Sequence, residues 1–183
     1  NILDFDNLTE ENIYVLDSPI LTNSQFKKFK KFFSKKIKVI DCTFDINNSL
    51  KDRIEAIREE AETAVREGST CIVLSDKNFS SEKASIPSIL TVGAVHSHLV
   101  KHGLRGYCSL NVECSDAMDT HSFAILIGVG ATTVNPYLAI DSIYQRFEKK
   151  LFGKSDFETC VKKFKKSIDA GLLKIMSKMG ISV

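Results

Sequence analysis

From about residue 37 to residue 150 the sequence repeats one rhythm: a short apolar run, a polar loop, a stretch of helical period and then a glycine. No other property constrains the fold as much. The first run is IKVIDCTF (37–44). After a polar loop, Ser49 stands as an N-cap with Asp52 three residues on, and Leu50, Ile54, Ile57, Ala61 and Ala64 form one helical stripe that Gly68 closes. The second run, CIVLSD (71–76), is apolar on consecutive residues, as a strand covered on both faces requires. It leads through a polar loop to PSILTVGAVHSHLVKHG (87–103), a helix with Pro87 in its first turn and Gly103 as its stop. The third run, YCSLNVEC (107–114), precedes a helix over about Asp119 to Ile127 that ends near Gly128. The fourth, ATTVN (131–135), precedes a helix running to about Lys150, with Asn135 and Pro136 as its N-cap and first-turn pair. Strands alternating with helices of this length specify an α/β fold of parallel βα repeats. Four units make either a partial (β/α) barrel-like sheet or a small open sheet, with flanking helices, and the alternation does not choose between them.

Two flanks lie outside the repeats. Residues 1–36 hold a loop, LDSPILTN, and a helix, SQFKKFKKFFSKK. Residues 151–183 hold a helical connector, opened by Ser155 and Glu158 as a capping box and carried by Phe157, Cys160, Val161, Phe164 and Ile168 at helical spacing. The chain is thus expected to divide at 1–36, 37–150 and 151–183. The stretch GLLKIMSKMGISV, from Gly171, has neither a polar tail nor a closing helix of ordinary length, and the first residue is not Met. Both ends read as cut.

With 183 residues, 43% of them hydrophobic and 26% charged, the chain can bury a core without disulfides or a structural metal. A net charge of +2 does not call for nucleic acid or an anionic membrane as an obligatory partner. No apolar run reaches membrane-spanning length, and NILDFDNLTE is not a signal peptide. The cysteines (Cys42, Cys71, Cys108, Cys114 and Cys160) are odd in number, and none has the spacing of a zinc or cluster ligand pair. They read as structural thiols of a reducing, cytoplasmic setting.

Four groups of residues invite a chemical reading. His98 and His102 are one helical turn apart, a spacing that can hold a metal, but no Asp, Glu or Cys of the same helix completes their face; structural or solvated histidines are the preferred account, with His96 packed inward. GVGATT has its glycines after a helix and before a strand, the reverse of a phosphate loop, so Gly128 and Gly130 read as a helix stop and a turn. Lys27, Lys28, Lys30, Lys31, Lys35 and Lys36 interleave with Phe26, Phe29, Phe32 and Phe33. The simplest account is a packed Phe stripe with solvated lysines, and the other is a basic binding surface. At the carboxyl ends of the strands, where α/β proteins bind ligands, stand Thr43, Asp45, Ser75, Asp76, Glu113 and Asn135. Asp76 and Glu113 would form a general acid/base pair if they converged in a cleft, although loop and capping roles suit all six positions.

The runs PSILTVGAVHSHLVKHGLR and GVGATTVNPYLAI, with LDSPILTN before them and GLLKIMSKMGIS after, resemble the central domain of the glutamate synthase large subunit and its junction with the FMN-binding domain. The likeness is collinear from about Leu16 to Ser182. It departs from the family pattern in ECSDAMDTHS, where Ser115, Met118 and Ser122 stand for Gly, Arg and His, and at Ser97, which stands for a His. The resemblance implies a parent enzyme with two reactions. An amidotransferase domain with a terminal Cys nucleophile releases ammonia from glutamine. A (β/α) barrel carrying FMN and a three-iron cluster then reduces the 2-iminoglutarate formed from ammonia and 2-oxoglutarate, with electrons from a reductase subunit or ferredoxin.

By the same resemblance, this domain is a spacer that frames the ammonia path between the amidotransferase and FMN domains of one polypeptide. It holds no catalytic, cofactor or metal residue and is inactive alone. Lys174, Met176, Ser177, Lys178 and Met179 become interdomain residues, and Leu172, Ile175, Met176 and Met179 are expected to pack on structure outside the chain. Removal from that setting would expose apolar surface at Phe32, Phe33 or Met176 and favour self-association. The alternative is a free-standing small α/β enzyme using Asp76 and Glu113.

Overall fold

The computed structural model describes residues 14–181. Four parallel strands form the central sheet: β1 (Ile37–Asp41), β3 (Cys71–Ser75), β5 (Ser109–Glu113) and β6 (Thr133–Asn135), side by side in that order. Every strand therefore lies next to its predecessor in the series, the progression that builds a (β/α) barrel, but the sheet is left open. β3 is buried along its whole length, which explains its uninterrupted apolar run, whereas β1 is the edge and exposes Val39. The opposite edge is covered. Ile20 bridges in parallel to Val134, with Val134 N donating to Pro19 O at 2.8 Å and Leu21 N donating to Val134 O at 2.9 Å. The stretch LDSPILTN, expected as a loop, thus finishes the sheet, with Ile20 and Leu21 fully buried.

The first apolar run is two elements. β2 (Thr43–Asp45) turns away from β1 and pairs in antiparallel fashion with β4 (Lys83–Ser85), a ribbon that the polar loop after β3 concealed. Helices α2 (Leu50–Arg66), α3 (Ser88–Lys101) and α4 (Thr120–Gly128) follow β2, β4 and β5. Side chains alternate across the strands, so the two faces have different companions. Ile72 and Leu74 join Ile57, Ala61, Val92, Leu99, Leu110 and Phe123 in the main core, while Cys71 and Val73 pack on Phe26 and Phe29 of α1 (Asn23–Phe32). The Phe stripe of α1 is packed as expected, apart from Phe32, which is exposed.

Gly68 and Gly103 end α2 and α3 in the left-handed conformation, as read. α4 ends at Gly128, as read, and Gly130 makes the turn beyond it, where a side chain is excluded on two counts: φ is 117° and an added Cβ would lie 2.2 Å from the His96 ring. Two helix caps differ from the reading. α5 (Tyr137–Glu148) has no side-chain cap, because the Asn135 amide is turned to Leu21 O (2.9 Å) and Asn23 Oδ1 (3.0 Å). α6 (Phe157–Met179) is capped by Asp156 through Thr159 N at 2.7 Å rather than by Ser155; an Asp at that position also complements the helix dipole. α6 is one helix of 23 residues, so the chain does close on a long helix. Gly171 lies inside it, and a Cβ there would meet Thr120 Cγ2 at 2.5 Å. That glycine is a contact residue between α6 and α4. Ile168 and Leu172 of α6 belong to the main core, so Leu172 packs on this chain's own structure.

Candidate functional site

The sheet brings Asp76 and Glu113 to adjacent strand ends. Ser75 and Glu113 are register partners, and Asp76 N donates to Glu113 O at 3.2 Å. Both side chains are buried, Asp76 at 2% exposure and Glu113 at 4%. A buried carboxylate needs donors, and each has them. Glu113 Oε2 accepts from Ser75 Oγ at 2.8 Å; its Oε1 accepts from Lys30 Nζ at 3.2 Å and faces Lys77 Nζ at 3.5 Å. Asp76 Oδ2 accepts from Ser85 Oγ (3.0 Å), Ser115 N (2.9 Å) and Ser115 Oγ (2.6 Å). Asp76 Oδ1 and the Tyr137 hydroxyl are buried without a hydrogen-bond partner. Burial pushes the Tyr137 phenol up, and the negative charge of Asp76 adds to it.

The other strand-end residues are occupied in turns and ribbons. Thr43 N and Oγ1 donate to Asp41 Oδ1 at 3.0 and 2.8 Å. Burial raises the Asp41 pKa, but the bonds from Thr43 and Asn78 outweigh it and the net shift is downward. Asp45 Oδ1 accepts from Asn47 N at 2.8 Å and shapes the turn. Behind Glu113 on the same face, Asn111 is fully buried; it donates to Ile72 O at 3.1 Å and accepts from Thr133 Oγ1 at 2.8 Å. Two cavities lie elsewhere. One, about 730 Å³, is between α5 and α6 around Arg146, Cys160 and Lys163; the other, about 750 Å³, is bounded by α1, α5 and α6.

Sequence reading paired Asp76 with Glu113 and missed their partners. Lys30 was detectable: Phe26, Phe29, Lys30 and Phe33 make an i, i+3, i+4, i+7 stripe, so one lysine of the cluster had to face inward. Ser85, Ser115 and Tyr137 come from separate loops and helices, and no spacing links them.

Around the final helix, Lys174, Ser177, Lys178 and Met179 are exposed and Met176 is half-buried. Leu173 at 65% and Met179 at 70% exposure are the most open apolar residues of α6. His98 and His102 meet a carboxylate that their own helix lacks: Glu62 of α2, whose Oε2 lies 2.6 Å from His98 Nε2. His96 is half-buried and accepts from Arg105 Nε at 3.2 Å.

The whole chain, residues 1–183, matches the family model described as the glutamate synthase central domain. The chain belongs to that family. This glutamate synthase central domain is 47% identical over 186 residues to the large chain of the NADPH glutamate synthase of Azospirillum brasilense, covering all of this chain and 12% of that protein. It is 40% identical to the Bacillus subtilis large chain, covering 91% of this chain and 11% of the relative. It is 39% identical to the ferredoxin-dependent glutamate synthase of Spinacia oleracea, covering 92% and 11%. The central domain thus spans about an eighth of the length of the curated relatives it matches. Its five cysteines are free and buried, and among the described residues no three of them converge. Burial raises the Cys71 thiol to about 11 and the Cys42 thiol to about 12. That set does not fit an iron–sulfur cluster, which is held by converging thiolates.

Proposed function

We propose that this chain serves as a non-catalytic scaffold in a glutamate synthase, the enzyme that converts glutamine and 2-oxoglutarate to two glutamates with an external reductant. On this reading it sits between an amidotransferase domain and an FMN-binding domain of the same polypeptide and frames the path of ammonia between them. FMN, the three-iron cluster and the reductase subunit or ferredoxin belong to the rest of that enzyme. The observation that carries the reading is the full-length family match, joined to a strand-end cluster in which three of the four carboxylate oxygens accept from the fold's own donors. The exposed Leu173, Lys174, Ser177, Lys178 and Met179, with half-buried Met176, form the face offered to the FMN domain. The test has two arms. The chain alone is expected to show neither glutaminase nor glutamate synthase activity, and a stoichiometric flavin band co-purifying with it would overturn the proposal. In the complete enzyme, Met179→Asp with Leu173→Asp is expected to keep glutamine hydrolysis while the fraction of released ammonia recovered as glutamate falls. Unchanged recovery would remove the interdomain role.

A second reading has one observation in its favour. Asp76 Oδ1 and the Tyr137 hydroxyl are buried and unpaired at the ligand end of the sheet. That pair would be the acid/base set of a free-standing enzyme. If so, Asp76→Asn abolishes a measurable turnover while leaving the fold intact.

A further inference from the structure

The outer face of the α2–α3 pair carries a cluster that neither the fold nor the proposed function uses. α2 and α3 approach closely through Ala61, Ala64, Val95 and Leu99, all buried. At the rim of that contact, Glu62 of α2 stands over His98 and His102, one turn apart on α3. One ligand-capable atom from each of the three lies within 4.8 Å of the others. The two imidazoles are 4.3 Å apart between ring centres.

The surroundings orient the three groups. His102 Nδ1 is 2.8 Å from the His98 backbone carbonyl, and only a protonated nitrogen bonds a carbonyl oxygen. The same Nδ1 is the nitrogen that faces Glu62, 3.8 Å from Oε2, so a cation would take it from the carbonyl while the proton moves to Nε2. Arg66 binds Glu62 through Oε1, its Nε and second guanidinium nitrogen both at 2.8 Å. That leaves Oε2 for the histidines. Oε2 is 2.6 Å from His98 Nε2, so a proton now bridges them. A cation would replace that proton and open the pair to about 3.3 Å, the ligand–ligand separation of a tetrahedral zinc with bonds near 2.0 Å. The side chains have the freedom to do so, with His102 34% and Glu62 22% exposed.

We infer that Glu62, His98 and His102 form a binding site for one borderline divalent cation, zinc above all, that ties α2 to α3. Two imidazoles and a carboxylate are the donor set of three-ligand zinc sites, with a fourth position left to water on the solvent side. Two neutral nitrogens and one oxygen are a poor set for calcium or magnesium, which take oxygen. The buried thiols do not compete in the folded chain. The fourth histidine, His121, lies on α4 outside the cluster and serves as a control.

The test is calorimetric titration of zinc chloride into the full chain in a non-coordinating buffer, with cobalt(II) as a spectroscopic probe. Expected are a single equivalent of zinc, an intense visible cobalt band of low-coordinate type, and an unfolding midpoint raised by zinc. His98→Ala and His102→Ala are each expected to weaken binding at least about tenfold, and Glu62→Gln to weaken it less. His121→Ala should bind as the parent does. Circular dichroism checks that each variant is folded. No heat beyond dilution at about a hundred micromolar zinc overturns the inference. So does stoichiometric binding that survives in the folded His98→Ala/His102→Ala double variant.

Discussion

Two polar clusters of this molecule make opposite use of their carboxylates. At the strand ends, Asp76 and Glu113 are sealed in and face donors supplied by four separate parts of the chain: α1, the end of β3, the β4 ribbon and the β5–α4 loop. On the α2–α3 rim, Glu62 has one anchored oxygen and one turned toward two half-open imidazoles. The first lies where α/β proteins keep their active sites; the second lies on a helical exterior where they rarely do. Position in a fold is therefore a poor guide to availability. What distinguishes the clusters is burial: Asp76 and Glu113 are closed off from solvent, whereas Glu62 and His102 stay open to it.

The largest effect should come from taking the sealed interior to high pH. The thiols of Cys42 and Cys71 hold their protons well above the ordinary 9.0, at about 12 and about 11, because burial disfavours the thiolate; Cys108, Cys114 and Tyr137 shift the same way. Groups with raised folded pKa values contribute stability that is full below the unfolded pKa and is lost as pH rises toward the folded one. The urea midpoint should fall steeply between about pH 9 and pH 11. A flat midpoint would mean that water reaches the sheet.

Next in size, Asp76→Ala should cost about 3 kcal/mol in denaturant unfolding, since it strands the donors of Ser85 and Ser115 in the interior. A loss below about 1 kcal/mol would place that cluster in contact with solvent and erase the contrast. Thr22→Ala removes the capping box of α1, the helix that carries Lys30 to Glu113. It is expected to cost about 1 kcal/mol, and nuclear magnetic resonance should show the Lys30 ammonium loosened. Smallest of all, His102→Ala in metal-free buffer should change stability by less than about 0.5 kcal/mol. A larger loss would make the rim cluster structural, like its counterpart.

The sequence disclosed the parallel βα series because each repeat carries its own local signals: Ser49 and Gly68 around α2, Gly103 after α3, and the unbroken run of β3. It disclosed Asp76 and Glu113 because the one follows an apolar strand run and the other ends one. It hid whatever depends on distant parts of the chain. The β2–β4 ribbon has three residues a side, too short for a period to register. The third member of the rim cluster lies 36 residues before His98, on another helix. Nothing in the sequence marks Gly171 as a contact, because a glycine that admits a neighbouring helix and one that ends its own are the same letter.

The bridge from Ile20 to Val134 sets the order in which this fold can be completed. Leu21 and Asn135, which hydrogen-bond there, are 114 residues apart. A chain emerging from its N-terminus presents Ile20 and Leu21 long before their partner exists, and they stay unpaired until the last strand arrives. Pairings across such separations close large loops and slow folding. The earliest strand-like segment among the described residues is therefore seated only after β6. During synthesis its apolar residues are the ones most in need of shelter.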